Sequence, residues 1–277
     1  MAFDYEKYLR MERMPHMWCP GCGIGIVVKA MLRAIEKMGW SQDDVAVVSG
    51  IGCTSRTPGY LDFNTLHTTH GRALAFATGL KLARPDKHVI VISGDGDAAA
   101  IGGNHFLHAC RRNIDITLIV VNNYIYGMTG GQASPTTPFG MRASTAPYGA
   151  VDPAMDICQV AIAAGATYVA RGTVAQGLLL ERYILNGLKH KGFSVIEAMS
   201  DCPVQYGRRN RMSSAVEMIQ WIRDHGVPVT RAKELPPEEL EGKFVTGELH
   251  VAERPEYTEE YRRLIEKAQK AAEGAHG

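Results

Sequence analysis

The stretch from His88 to Tyr126, HVIVISGDGDAAAIGGNHFLHACRRNIDITLIVVNNYIY, restricts the fold more than any other part of the chain. An unbroken apolar run at Val89–Ser93 leads into the turn Gly94-Asp95-Gly96-Asp97. A helical stretch follows to about Arg112, then a second apolar run at Ile116–Val121 that ends in Asn122-Asn123. Runs without polar alternation are the pattern of strands buried on both faces, and two such strands joined through a helix form a βαβ unit. The expected fold class is therefore α/β, a doubly wound and mostly parallel sheet with N- and C-terminal extensions.

A right-handed crossover carries the ends of both strands to one edge of a parallel sheet, where doubly wound folds bind ligands. Asp95 and Asn123 converge there. A carboxylate and an amide oxygen, joined by a backbone carbonyl and phosphate oxygens, make the hard oxygen shell that Mg²⁺ prefers. Gly94 and Gly96 allow positive φ and close approach of a diphosphate, and the helix start after Asp97 offers free N–H groups. The unit suits a diphosphate held through a divalent metal.

Charge is balanced, 30 Lys+Arg against 29 Asp+Glu, which gives no electrostatic support for a nucleic-acid or membrane-surface partner. No apolar run approaches the roughly 18 residues that span a bilayer, and the start MAFDYEKYLRMER is too charged for a signal peptide. A cytoplasmic protein is expected, in which the six cysteines are reduced, metal-bound or buried rather than paired.

Residues 1–18 read as a polar, Met-rich arm, mobile or bound to a partner. Cys19-Pro20-Gly21-Cys22 bends the chain so that two thiolates can face one point. Three readings of this pair stay open. A zinc ribbon would need a second Cys-x-x-Cys, a thioredoxin-like pair would need a preceding strand, and an iron–sulfur cluster would take its other ligands from distant single cysteines. Ile24–Met38 is amphipathic and helical, and Val45–Ser49 is a short buried strand with Cys53 just past its end. Asp62–Thr69 reads as a loop before His70, which stands ahead of a helix at Leu74–Ala83 and can donate to a phosphate or polarise a carbonyl. Cys110 and Cys158 fall inside helices and are assigned to the core.

Residues 124–150 have many small residues and little periodicity, as expected of a binding loop closing over cofactor and substrate. Asp152-Pro153 is read as capping a helix through Ala164. Strands at Thr167–Ala170 and Phe193–Ala198 flank a helix at Ala175–Lys189. Cys202 follows the last of these strands as Cys53 follows the first, with the basic run Gly207-Arg208-Arg209-Asn210-Arg211 beside it. The expected organisation is a cofactor domain at 1–212 and a helical extension at 213–277.

Gly94-Asp95-Gly96 with Asn122-Asn123 resembles the thiamine diphosphate motif of thiamine-dependent enzymes. That resemblance implies Mg²⁺ on Asp95, Asn123 and the carbonyl of Ile125. With Cys19-x-x-Cys22, Cys53 and Cys202 arranged around it, the chain resembles the β subunit of 2-oxoacid:ferredoxin oxidoreductases over about residues 15–212. The resemblance implies a thiamine diphosphate-binding sheet with a [4Fe–4S] cluster on those four cysteines. It further implies thiamine contacts from Ile51, Gly52, Cys53, Thr54, His70, Gly96, Asp97, Gly127 and Met128, with His70 the catalytic candidate. The implied reaction is decarboxylation of a 2-oxo acid, with electrons leaving through the cluster to ferredoxin and coenzyme A collecting the acyl group. The carboxylate that activates the pyrimidine ring is then expected on a separate α subunit of an α2β2 enzyme. The pieces around Gly127–Gln132 and Cys202–Asn210 look most like 2-oxoglutarate-using members, with Arg208 and Arg209 available for a second carboxylate. Branched-chain 2-oxo acids or pyruvate are the alternative substrates, and a zinc-stabilised binding module without catalysis is the alternative class.

Overall fold

The computed structural model describes residues 3–212 and 214–274. In chain order its elements are α1 (Ile24–Met38), β1 (Val45–Ser49), β2 (Asn64–His67), α2 (Ala73–Ala83), β3 (His88–Gly94), α3 (Gly103–Arg112), β4 (Thr117–Asn122), the hairpin β5 (Ile125–Tyr126) and β6 (Gln132–Ala133), α4 (Ile157–Ala164), β7 (Tyr168–Thr173), α5 (Gly177–Lys189) and β8 (Ser194–Met199). They continue with α6 (Ala215–His225), β9 (Gly226–Pro228), α7 (Val229–Ala232), α8 (Pro237–Leu240), β10 (Phe244–Val251) and α9 (Tyr257–Gly274). Among the described residues, eight strands form one sheet in the order β2-β1-β3-β4-β8-β7-β10-β9. Every neighbouring pair is parallel except β7 with β10.

The central strands are buried on both faces, as their apolar runs require. Ile90, Ile92, Ile119, Val121, Ile196 and Ala198 pack with α1 and α5 in one core. Their alternating neighbours Val89, Val91, Leu118, Val120 and Val195 pack with α2, α3 and α4 in the other. Burial of each such Ile, Leu or Val side chain contributes about 1.5–3 kcal/mol. Because β1, β3, β4 and β8 are adjacent and parallel, their carboxyl ends lie side by side; Gly94 is opposite Val121 and Asn122 opposite Met199. Cys53, Asp95, Asn123 and Cys202, each just beyond one of those ends, are thereby gathered on a single edge.

Several expectations are corrected. The loop expected at Asp62–Thr69 contains the edge strand β2, paired to β1 from Ala46↔Asn64 to Ser49↔His67. Within the expected arm, whose residues 1–2 lie outside the described residues, Tyr8 and Leu9 pack instead of standing free: Tyr8 is 2% exposed, its ring stacks 5.7 Å from Phe63, and Leu9 bridges to Leu61. The helix cap expected at Asp152 is Asp156, whose carboxylate accepts from Gln159 N at 3.0 Å. The helix after Gly96 begins as a wide π turn, Asp97–Ile101, before α3. The segment after residue 212, expected as a helical extension, carries α6–α9 and also adds β9 and β10 to the sheet. No helix of the described residues is long and apolar enough to cross a membrane.

Candidate active site

At the carboxyl edge a pocket of about 390 Å³ opens over β1, β3 and β4. Its lining includes Ile51, Gly52, Cys53, Thr54, His70, all four residues of the Gly94–Asp97 turn, Asn123, Ile125, Gly127 and Met128. Every residue expected to contact a diphosphate cofactor or its metal is thus brought to one cavity. Tyr126, Thr129 and Gln132 complete the wall; they belong to the expected binding loop but are not among the individually expected contacts.

The turn is held by its two aspartates. Asp95 is 2% exposed, and its Oδ2 accepts from Ser134 Oγ and Thr136 Oγ1, both at 2.6 Å. Burial pushes the Asp95 carboxyl up to about 6, and the two hydroxyls oppose that rise. Asp97 Oδ1 accepts from Gly71 N at 2.7 Å and Ile51 N at 3.2 Å and bonds His70 Nδ1 at 2.7 Å, while Ser93 Oγ donates to Oδ2 at 2.5 Å. Asp97 therefore ties the loops after β1 and β2 to the turn. Its bond to Nδ1 leaves Nε2 of His70 as the nitrogen available in the pocket.

The glycines of the turn are not needed for positive φ, contrary to the expectation. Neither Gly94 nor Gly96 has positive φ; Gly96 sits at φ −69°. A Cβ on Gly96 would collide with the Tyr126 ring. A Cβ on Gly94 would have only Thr54 Oγ1 near it, at 3.7 Å, on the pocket side. Tyr124 is a buried tyrosine at φ 64°, and Asn123 and Ile125 on either side of this turn line the same cavity, with Ile125 N donating to Asn123 Oδ1 at 3.3 Å.

A second, smaller pocket of about 210 Å³ is lined by Cys19, Cys22, Cys53 and Cys202, with Trp18, whose Nε1 donates to Cys53 O at 2.8 Å. A Cβ on Gly127 would lie 3.6 Å from both Cys53 Sγ and Cys202 Sγ, an ordinary contact distance that puts this residue between the two sulfurs. Burial pushes Cys22 up to about 12 and Cys53 up to about 11, and neighbouring thiols add to both. Burial raises Cys202 as well. Thiols in this state become ligands only when a cation stabilises the thiolates. Cys110 and Cys158 are buried in the core, as expected.

Of the two arginines expected near substrate, Arg209 reaches the loop, donating from Nη2 to Gly130 O at 2.9 Å. Arg208 is on the same turn; both arginines are exposed, and neither lines either pocket. A larger cavity of about 850 Å³ lies beyond Asn122. Its two carboxylates, Asp156 and Glu197, are both already paired with Arg171, at 2.6 Å each. That cavity holds neither the Gly94–Asp97 turn nor any of Cys19, Cys22, Cys53 and Cys202.

Residues 50–198 match the family described as thiamine pyrophosphate enzyme, C-terminal TPP binding domain. The chain is 56% identical over 261 residues to the 2-oxoglutarate synthase subunit KorB of Methanocaldococcus jannaschii, covering 94% of this chain and 97% of that one. It is 42% identical over 215 residues to the 2-oxoglutarate oxidoreductase subunit KorB of Mycobacterium tuberculosis, covering 76% and 57% respectively. Its fold matches a solved structure of the 2-oxoglutarate:ferredoxin oxidoreductase from Magnetococcus marinus with 2-oxoglutarate, coenzyme A and succinyl-CoA bound. That match has a TM-score of 0.86 and 33% identity, and it covers 97% of this chain and 91% of that one. A pocket built on Gly94-Asp95-Gly96 and Asn123, read with these likenesses, makes the chain a member of the thiamine pyrophosphate enzymes, in the family of 2-oxoglutarate synthase KorB and 2-oxoacid:ferredoxin oxidoreductase β subunits.

Proposed function

We propose that this chain is the thiamine-binding β subunit of a cytoplasmic 2-oxoglutarate:ferredoxin oxidoreductase, forming succinyl-CoA and CO₂ and passing electrons through a [4Fe–4S] cluster to ferredoxin. The observation that carries this reading is a shared wall: Cys53, Asn123, Gly127 and Met128 line both the cofactor pocket and the four-cysteine pocket. A redox group on the thiols would stand directly beside the cofactor.

Bound thiamine diphosphate supplies the carbanion chemistry that releases CO₂ from a 2-oxo acid. The chain's own residues hold and orient it. Asp95, Asn123 and the Ile125 carbonyl are the oxygen donors for Mg²⁺, and Ile51, Gly52, Thr54, Gly94, Gly96 and Asp97 shape the diphosphate cradle. His70 is aligned by Asp97 so that Nε2 can exchange a hydrogen bond with a group in the pocket. Gly127 and Met128 separate the two pockets, and Arg209, with Arg208 beside it, is the candidate partner of the distal substrate carboxylate.

The cysteine spacing favours a cluster over a single zinc. Among the described residues no three of these sulfurs lie within 4.8 Å of one another, whereas tetrahedral zinc at Zn–S of about 2.3 Å draws its sulfurs to about 3.8 Å. A partner subunit, in an α2β2 assembly, would bring the pyrimidine-activating carboxylate. Phe76, Ile101 and Leu107, each more than 40% exposed on or between α2 and α3, offer it an apolar face.

The test is reduction of a viologen dye by the enzyme assembled with its partner subunit, supplied in turn with 2-oxoglutarate, pyruvate and 2-oxoisovalerate plus coenzyme A. The fastest reduction is expected with 2-oxoglutarate. Equal rates would defeat that substrate assignment, and full activity of this chain alone would defeat the two-subunit site.

A further inference from the structure

The loop that follows Asn123 is built around the Asp95 carboxylate. Ser134 and Thr136 are 8% and 1% exposed, and both hydroxyls reach the same oxygen, Asp95 Oδ2, at 2.6 Å. That length is typical of O–H donation to an ionised oxygen. The two hydroxyls are also 3.0 Å from each other, so they approach Oδ2 as a pair.

Thr136 is itself held in place. Its Oγ1 lies 2.9 Å from Asn122 Oδ1, and that amide is fixed at both ends, by Tyr124 N at 3.1 Å on Oδ1 and by Glu197 Oε1 at 2.7 Å on Nδ2. Arg171 Nε anchors the other Glu197 oxygen at 2.6 Å. The Thr136 hydroxyl has a single proton, placed on Asp95 Oδ2 at the shorter 2.6 Å, so the Asn122 amide, fixed through Glu197 and Arg171, forms the wall beside the hydroxyl rather than a second bond from it.

An oxygen that already accepts two hydroxyls is poorly placed to take a cation as well, which leaves Oδ1. One-oxygen coordination matches the near-ideal octahedron of Mg²⁺. The larger, more tolerant Ca²⁺ shell also accepts carboxylates through both oxygens. We propose that Ser134 and Thr136 are positioning residues that hold Asp95 in one-oxygen geometry and so set the preference of this site for Mg²⁺ over Ca²⁺.

The inference rests on the reading of Asp95 as the cation's carboxylate, and the experiment separates the two. Thiamine diphosphate binding to the full-length protein is followed by quenching of intrinsic fluorescence, titrating MgCl₂ or CaCl₂. Thr136→Val is expected to raise the half-saturating Mg²⁺ by about 10–100-fold, the usual cost of losing an outer-shell partner. The Ca²⁺ value should move much less, and Thr136→Ser, which keeps the hydroxyl, should restore the native ratio. Ser134→Ala should move Mg²⁺ in the same direction, which keeps the test open if Thr136→Val fails to fold. Equal weakening for both ions, or no change in either, overturns the inference. Asp95→Asn is the control: if it keeps cation-dependent binding, the underlying reading fails as well.

Discussion

The two pockets at the sheet edge share a wall, yet the polypeptide finishes them to different degrees. In the cofactor pocket the carboxylates already have their partners: two hydroxyls on Asp95, and two backbone N–H groups, His70 and Ser93 on Asp97. In the thiol pocket Cys22 has a backbone N–H from Ile24 and Cys202 has those of Gln205 and Tyr206, but burial outweighs them and keeps both thiols raised. One pocket is pre-organised by internal hydrogen bonds. The other has its geometry but not its charge, and it reaches the thiolate state only with a cation inside. The first should therefore keep its shape when empty, and the second should depend on what fills it.

Cys202→Ser should break this comparison most visibly. It is expected to abolish the visible absorption of the cluster while Mg²⁺-dependent thiamine diphosphate binding, read by fluorescence, stays within a few-fold of native. Loss of both together would mean that the pockets are one cooperative unit. Asp95→Asn is the converse. It should weaken cation-dependent cofactor binding by more than about 100-fold, beyond what outer-shell changes cost, and leave iron content unchanged.

Asp95 also sharpens the comparison through pH. Its folded-state value, about 6, lies above the ordinary 3.8, so its contribution to stability is fully present below about pH 4 and lost as pH rises through about 6. The loss is about 3 kcal/mol, from about 1.4 kcal/mol per pKa unit. The apoprotein carrying Asp95→Asn should therefore melt higher than native at pH 8 and close to native at pH 4, measured by thermal denaturation. Smallest of all, half-saturating Mg²⁺ should rise by up to about tenfold per unit as pH falls below about 6, because a proton and the cation compete for one carboxylate. A flat profile would place the cation elsewhere.

What could be read in advance follows the same division. The β3–α3–β4 unit is contiguous, and its strands begin and end within a residue of their apolar runs because burial on both faces leaves little freedom in register. The thiol pocket is assembled by strand order. Apolar runs do not encode the adjacency of β1, β3, β4 and β8, so from the sequence Cys53 and Cys202 share only a position past a strand's end, and the strand order brings them together. Ser134 and Thr136 escaped notice because hydroxyl residues in an aperiodic loop carry no pattern. Their partner lies on another element, and the only local hint was the run Ser134-Pro135-Thr136-Thr137 following the Asn pair. The roles of Gly96 and Asp97 were read too locally. One makes room for Tyr126 and the other fastens the loops after β1 and β2 to the turn, both through contacts made only in the folded chain.

The central claim is that thiols from three separate segments close on one cluster beside the thiamine pocket. Iron, zinc and acid-labile sulfide analysis of anaerobically purified protein, with an electron paramagnetic resonance spectrum after reduction, tests it most directly. The account predicts about four irons and about four sulfides per chain and a signal from a reduced [4Fe–4S] centre that is lost in Cys202→Ser. A colourless protein holding zinc and no iron would contradict it.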